Sequence, residues 1–295
     1  MDFSTKFNAL LRRVEAGLGT WLPAADTRPG RIHAAMRYSI EAGGKRIRPV
    51  IVLATADFLQ PAGPRDPVPA AVAVECLHTY SLIHDDLPCM DDDDLRRGRP
   101  TLHRAFDEAT ALLAGDALLT HALGLLVTAY ASEPALAVAL AADMTDAAGS
   151  RRLIGGQVED LAAEGRMDLN AGDLAYIHLN KTAAMLELSF SLGARIGGAS
   201  EAERVALVRA GRELGLAFQI IDDVLDATAD TAALGKTAGK DAKAGKVTSV
   251  SLHGIEDSRR HAAEHAATAR ARLAEVRGGD SFLAALIDAL TVRSR

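Results

Sequence analysis

An all-α fold is the structure that this sequence predicts. Apolar residues recur at helical spacing, as in residues 174–192, and alternation rich in β-branched residues is scarce. Proline and glycine clusters divide the chain into about ten helical segments, several of them roughly 20 residues or longer. No low-complexity spacer or repeat of fixed period separates these segments, so residues 1–295 are expected to form one domain.

The composition limits both the class of protein and its expected location. The 295 residues are 48% hydrophobic, and their net charge of -6 argues against a nucleic-acid partner. Two cysteines provide no disulfide framework, so a cytoplasmic location is expected. Residues 1–17 predict an amphipathic helix rather than a signal peptide. Residues 111–130 are apolar but interrupted by Asp116 and His121, which predicts a core helix and no membrane insertion.

The first aspartate cluster puts six carboxylates into residues 85–94, directly after an apolar helical run. Pro88 disfavours helical dihedrals at the residue before it, so the helix should end near Asp86 and Asp91 should turn back toward Asp85. Like charges at a helix C-terminus repel one another and oppose the helix dipole, and a divalent cation relieves both effects. Oxygen ligands of this kind suit Mg²⁺, which completes its coordination with water and phosphates. A solvated acidic turn is the alternative.

A second cluster lies on the helical segment 218–226, where Asp222 and Asp226 are one turn apart on the same face. Such a pair by itself is more often an exposed acidic face. Two clusters, each carried by an apolar helix, favour a pair of metal sites.

Short basic blocks provide the counter-charge that a phosphate ligand requires. Residues 43–49 combine a glycine helix stop with lysine and arginine, and residues 95–101 place arginines directly after the first aspartates. Lys181 and Thr182 are expected within a helix. Residues 228–246 replace the apolar pattern with glycine, threonine and lysine, which predicts a loop of the kind that often serves as a lid. Each block alone is also typical of a solvated surface.

In this order the motifs resemble the trans-polyprenyl diphosphate synthases, most closely the bacterial-type farnesyl diphosphate synthases. The resemblance covers nearly the whole chain and rests on GGKRIRP, HDDLPCMDDDDLRRGRPT, GGQVEDL, Lys181-Thr182, FQIIDDVLD and the glycine–lysine loop. It implies an isoprenoid synthase-like fold, with helices around a deep central cavity, and a homodimer. After Lys246 the family often has threonine or serine and then tyrosine-proline, whereas this chain continues with Val247.

The resemblance also implies roles for individual residues. Three Mg²⁺ ions would be held around the allylic diphosphate by Asp85, Asp86, Asp91, Asp222, Asp223 and Asp226. The isopentenyl diphosphate site would consist of Lys45, Arg48, His78 and Arg97. The allylic site would consist of Lys246 and the catalytic residues Arg96, Lys181, Thr182, Gln219 and Lys236.

The implied reaction ionises an allylic diphosphate, couples the cation to isopentenyl diphosphate and eliminates a proton, with charge stabilisation as the source of catalysis. Tyr80 lies five residues before Asp85, which is roughly 7.5 Å deeper along a helix. With Ser81 it is expected to limit product length. An aromatic residue there accompanies farnesyl products in the family, so (2E,6E)-farnesyl diphosphate is the expected product from dimethylallyl or geranyl diphosphate. Simple core packing of Tyr80 is the alternative.

Other functions compatible with the sequence differ in which motifs they leave unexplained. Geranylgeranyl diphosphate synthase is the alternative within the family. A terpene cyclase of the same fold would not need Lys45, Arg48 and His78, and a non-catalytic partner subunit would tolerate loss of aspartates that are all present. An acidic helical scaffold does not explain the basic blocks.

Overall fold

Nearly all the regular structure in the computed structural model is helical; residues 1–61, 63–166, 168–228 and 246–292 are described. Its helices are α1 (Phe3–Trp21), α2 (Gly30–Ile40), α3 (Ile47–Leu59), α4 (Val68–Asp85), α5 (Leu102–Ala105), α6 (Glu108–Ala129), α7 (Pro134–Ala148), α8 (Leu153–Ala162), α9 (Ala171–Ile177), α10 (Ala184–Ile196), α11 (Glu201–Thr228), α12 (Ser249–His253), α13 (Ile255–Ala274) and α14 (Ser281–Thr291). A π-helical turn, His178–Ala183, joins α9 to α10. Strands β1 (Leu95–Arg96) and β2 (Arg99–Pro100) form a short antiparallel hairpin after α4. The all-α prediction is confirmed.

Side-chain caps fix where several helices begin. Asp2 accepts a hydrogen bond from the Thr5 amide at 3.0 Å, and Asp107 accepts one from the Thr110 amide at 2.7 Å. Asn170 forms a capping box at the start of α9. Each cap satisfies an amide that the helix itself leaves unpaired and stabilises the helix by about 1 kcal/mol. These helix starts are therefore encoded locally.

The core is centred on α10, in which every residue except Arg195 is buried. Helices α3 and α11 pack against it at glycines. A Cβ atom at Gly193 would lie 2.6 Å from the Val52 carbonyl oxygen on α3. A Cβ atom at Gly211 on α11 would lie 2.9 Å from the Leu186 carbonyl oxygen. Because a backbone atom cannot rotate aside as a side chain can, these close helix contacts depend on glycine.

Of the described helices, only α6 is long and apolar enough to cross a membrane by length and composition. Within its most apolar window, 44% of the residues are buried against the rest of the protein. Core helices of globular proteins pass the same test, so its length and composition are weak support for a membrane span.

Four of the predicted site residues lie near the ends of two helices and in the π turn. Helix α4 ends at Asp85, the last turns of α11 carry Asp222, and the π turn carries Lys181 and Thr182. All four residues line one cavity. Lys181 and Thr182 lie within a helical segment as expected, and the structure adds that this segment is a π turn.

Candidate active site

The chain turns back on itself directly after α4, as the position of Pro88 predicts. The Asp91 amide donates to the Asp85 carbonyl oxygen at 2.9 Å. Two residues further on, the Asp93 amide donates to the Asp86 carbonyl oxygen at 3.3 Å. These backbone bonds bring the predicted ligands of the first cluster together at one helix end.

The carboxylates of the first cluster are costly to ionise where they lie. Burial raises the pKa of Asp85 to about 6; Lys181 opposes this rise and Asp91 adds to it. Burial also raises the pKa of Asp86, although hydrogen bonds from Arg96 oppose that change. A divalent cation would favour the ionised form of both groups, so the cluster fits a metal ion.

Two of the arginines in the β1–β2 hairpin, Arg96 and Arg97, contact different sites. Arg97 and Gly98 form its two-residue turn, with φ values of 54° and 75°. Arg96 donates from Nε to Asp86 at 3.0 Å, whereas Arg97 donates to the Gly43 carbonyl oxygen. Arg96 therefore belongs to the aspartate cluster, and Arg97 belongs to the basic block before α3.

The three aspartates of the second cluster have different surroundings. Asp222 lines the main cavity. Asp223 is buried and accepts hydrogen bonds from the Ser249 amide at 2.8 Å and from the Gln219 side chain at 3.1 Å, so its metal-binding role stays a prediction. Asp226 is also buried, and its Oδ1 atom has no hydrogen-bond partner within the described residues. A buried carboxylate oxygen without a partner is costly, and a cation would compensate it.

Two glycines clamp the π turn His178–Ala183 between neighbouring helices. A Cβ atom at Gly156 on α8 would lie 2.5 Å from the Lys181 amide nitrogen. A Cβ atom at Gly215 on α11 would lie 2.4 Å from the Ala183 Cα atom. Turns of this type recur at functional sites, and this one presents two of the predicted catalytic residues.

The side chains of the π turn contact the other predicted allylic-site residues. Thr182 donates to the Gln219 side-chain oxygen at 2.7 Å, which connects the turn to α11. Lys181 Nζ donates to Asp160 Oδ2 at 2.6 Å, and Lys246 Nζ donates to the same oxygen at 3.2 Å. The pair of lysines lowers the pKa of Asp160 despite its burial. Two cations are thereby held side by side.

The basic block at the start of α3 forms a second cationic site. Arg48 Nη1 lies 3.4 Å from His78 Nε2. Burial, followed by the charges of Arg48 and Arg97, lowers the pKa of His78 well below its ordinary value, so the ring is neutral. Lys45, Arg48, His78 and Arg97 all line a side cavity of about 520 Å³. The structure thus brings the four predicted isopentenyl-site residues together.

Two residues of the basic block, to which the sequence assigned no individual site role, also shape this side cavity. Arg46 has a left-handed conformation, with φ of 49°, and its guanidinium points inward to the buried carboxylate of Glu75 at 2.7 Å. At Gly44, a Cβ atom would lie 2.7 Å from the guanidinium carbon of Arg97. Gly44, part of the predicted glycine helix stop, therefore also leaves room for the Arg97 guanidinium to lie against the backbone.

The main cavity has a volume of about 810 Å³, within the range typical of small-molecule sites. Four residues line both this cavity and the side cavity: Arg48, His78, Arg97 and Phe218. Its uncharged lining includes Tyr80, Ser81, Leu119, Leu153, Ile154, Val158, Leu161 and Met185. The cavity therefore combines charged groups with a largely apolar wall.

Among the described residues, no three acidic, histidine or cysteine side chains form a ready-made metal site. Mg²⁺ typically takes one or two protein carboxylates and completes its octahedron with water and phosphate oxygens. The separated carboxylates of Asp85, Asp91 and Asp226 fit that mode of binding. They would hold metal together with a diphosphate rather than alone.

Asp160 was not predicted as a site residue, and Lys236 was. Asp160 lies in the GGQVEDL segment, where no single residue type signals that it would hold two lysines. Lys236 lies outside the described residues, as do residues 229–245 of the predicted lid.

The fold and the site together define a class of all-α enzymes with two adjoining sites for anionic groups. In one site a metal held by aspartates would bind the anion, and in the other arginines would bind it. A largely apolar cavity lies between the helices. The chain belongs to the polyprenyl synthetase family, whose model matches residues 29–277. It is a trans-prenyl diphosphate synthase, which joins isoprenyl diphosphates head to tail, and the resemblance noted in the sequence is confirmed.

Individual relatives support this assignment. Over 267 residues the chain is 46% identical to the heterodimeric geranylgeranyl pyrophosphate synthase large subunit 1, chloroplastic, of Arabidopsis thaliana, covering 88% of this chain and 71% of that protein. It is 47% identical over 252 residues to the chloroplastic geranylgeranyl pyrophosphate synthase of Catharanthus roseus, covering 84% and 69%.

Solved structures show the same fold over almost the whole chain. An FPP/GFPP synthase from Zymomonas mobilis matches with a TM-score of 0.86 and 34% identity, covering 98% of both chains. A geranyltransferase from Helicobacter pylori, complexed with magnesium and isoprenyl diphosphate, matches with a TM-score of 0.80 and 32% identity, covering 97% of this chain and 96% of that one.

Proposed function

We propose that this protein condenses isopentenyl diphosphate with allylic diphosphates to form geranylgeranyl diphosphate. One observation carries the proposal: carboxylates of both aspartate clusters line a single cavity with Arg96 and Lys181, and that cavity shares a wall with the cationic side cavity. The names of the two plant relatives support a twenty-carbon product.

Farnesyl diphosphate, the product expected from the sequence, becomes the second candidate. Tyr80 favours it, because this residue is 5% exposed, and the only α4 residue before it that lines the main cavity is His78, which also lines the side cavity. The ring therefore limits the cavity on the α4 side. Beyond it the apolar wall continues onto α6 and α8 through Leu119 and Ile154, which offers a longer tail a path beside the ring.

Charge stabilisation accounts for the first step of the proposed reaction. Mg²⁺, for which we propose three ions, would supply Lewis-acid stabilisation of the departing diphosphate, held by the aspartates of both clusters. Arg96, Lys181 and Lys246 add fixed positive charge around the same group. The side-chain oxygens of Thr182 and Gln219 would lie near the allylic cation.

The second substrate would occupy the side cavity. Its diphosphate would contact Lys45, Arg48 and Arg97, and the neutral ring of His78 would add a hydrogen bond without a charge. Its double bond would then face the main cavity across the shared wall. The apolar lining excludes water, which would otherwise quench the cation before coupling.

We also propose a homodimer in the cytoplasm. Exposed apolar side chains on α6 and α7, namely Leu112, Leu113, Val127 and Val138, offer a face that a second copy would cover. The Arabidopsis relative is named as a subunit of a heterodimer, so a different chain of the same fold is the alternative partner.

Starter selectivity tests the proposed product. Purified protein would be incubated with Mg²⁺, excess isopentenyl diphosphate and one of dimethylallyl, geranyl or farnesyl diphosphate, and product lengths would be measured. The proposal predicts that farnesyl diphosphate is elongated and that twenty-carbon chains predominate. Refusal of farnesyl diphosphate with accumulation of fifteen-carbon chains would select the second candidate.

A further inference from the structure

His84 lies between the first aspartate cluster and Tyr80, and its ring is held from two sides. The Tyr80 and His84 rings meet edge to face, with centroids 5.7 Å apart and an interplanar angle of 90°. On the other side, His84 Nε2 lies 2.9 Å from the Leu112 carbonyl oxygen on α6. Because a carbonyl oxygen only accepts hydrogen bonds, Nε2 carries the hydrogen.

Gly115 makes this position of the ring possible. A Cβ atom at Gly115 would lie 2.1 Å from His84 Nε2, and the three nearest atoms to it all belong to the His84 ring. Any side chain at position 115 would therefore push the His84 ring off α6. Gly115 is one helical turn from both Leu112 and Leu119, so all three lie along one face of α6.

The His84 ring is also part of the cavity surface. His84, Tyr80 and Leu119 all line the main cavity, where the α4 wall meets the α6 wall. A growing apolar tail that passes Asp85 must run along this surface. The position of the His84 ring decides how much room remains beside Tyr80.

We propose that His84, seated on Gly115, is a specificity-determining residue that sets product length by holding the ring of Tyr80. The proposal rests on the proposed function, since it concerns the tail of a prenyl product. In this arrangement Gly115 keeps the cavity open by letting the ring lie against α6. The hydrogen bond to Leu112 and the edge-to-face contact then keep Tyr80 in one orientation.

Substitutions at both ends of this contact test the proposal through the ratio of longer to shorter products. Gly115→Ala should lower that ratio by roughly 2- to 10-fold, because the displaced ring narrows the cavity. His84→Ala should raise it by a similar factor, because Tyr80 loses its support. The double variant should match His84→Ala, because the added methyl group no longer meets a ring.

Matched variants separate this role from a general loss of packing. Gly124→Ala lies on the same helix, no described residue outside that stretch of helix lies within 4 Å of the added Cβ, and the substitution should leave the ratio unchanged. His84→Gln can keep the bond to Leu112 without the ring, so it should behave like His84→Ala. Thermal unfolding would be measured for every variant.

The outcomes distinguish the two proposals. If the wild type elongates a starter but the ratio stays the same in Gly115→Ala and in His84→Ala, this inference is overturned and the proposed function stands. If Gly115→Ala unfolds, the His84→Ala ratio decides alone. If the wild type incorporates no isopentenyl diphosphate with any starter, both proposals fail.

Discussion

Gly215→Ala tests whether the π turn is held as tightly as the structure places it. The added Cβ would lie 2.4 Å from the Ala183 Cα atom and 2.5 Å from its Cβ atom, so the overlap can be relieved only by backbone movement. Overpacking of this kind costs about 1–3 kcal/mol, and a backbone contact belongs at the upper end. Alanine recovers roughly 1 kcal/mol of helix propensity, which leaves a net loss of about 2 kcal/mol.

For a chain of 295 residues that loss corresponds to a Tm lower by roughly 3 °C, measured by calorimetry. Gly19→Ala on α1 is the control, since no described residue outside its own stretch of helix lies within 4 Å of the added Cβ, and it should raise the Tm by roughly 1–2 °C. Because Lys181 and Thr182 lie on the displaced turn, Gly215→Ala should also lower kcat about 100-fold. A Gly215→Ala variant with wild-type Tm and kcat would refute the tight contact.

Four further predictions concern other parts of the site. The free energy of unfolding should fall as the pH drops below about 6.5, because the unfolded chain binds a proton at His78 that the folded chain does not. Urea titrations at several pH values would give the slope of this free energy against pH, and His78→Gln should lower that slope by up to about 1.4 kcal/mol per pH unit. An equal slope in the variant and the wild type would contradict the buried neutral ring. Asp226→Asn should lower kcat about 100-fold. It should not lower the Tm of the ligand-free protein, because the buried Oδ1 atom has no hydrogen-bond partner within the described residues. Unchanged steady-state kinetics would exclude Asp226 from the site. Asp160→Asn should raise the KM for the allylic diphosphate roughly tenfold, because Asp160 holds Lys181 and Lys246, and the KM for isopentenyl diphosphate should stay near wild type. Equal changes in the two KM values would argue against a local effect on these lysines. Tyr80→Ala should lengthen the products, and an unchanged product distribution would remove Tyr80 from the control of chain length.

Features encoded by neighbouring residues could be predicted from the sequence. Pro88 determines where α4 ends, and the four-residue spacing of Asp222 and Asp226 places them on one helix face. The caps at Asp2 and Asp107 likewise need only local sequence. The helical fold and the two aspartate clusters followed from such signals.

Features that depend on contacts between distant helices could not be predicted in the same way. The π turn is clamped by Gly156 and Gly215, which lie more than 20 residues from it on two other helices. Asp160 acquires Lys181 as a partner only when α8 packs against that turn, and its second partner, Lys246, lies before α12. Arg46 follows Lys45 directly but points into the core, because Glu75 lies there. Residue type and spacing contain no signal for such partners.

Metal-dependent incorporation of labelled isopentenyl diphosphate tests the central claim most directly. The wild type, Asp85→Asn and Asp226→Asn would each be incubated with an allylic diphosphate, with Mg²⁺ or with a chelator. If the two clusters act together on one diphosphate, incorporation should require Mg²⁺ and fall at least about 100-fold in either variant. Incorporation that survives the chelator, or that is unaffected by loss of either aspartate, would contradict the account.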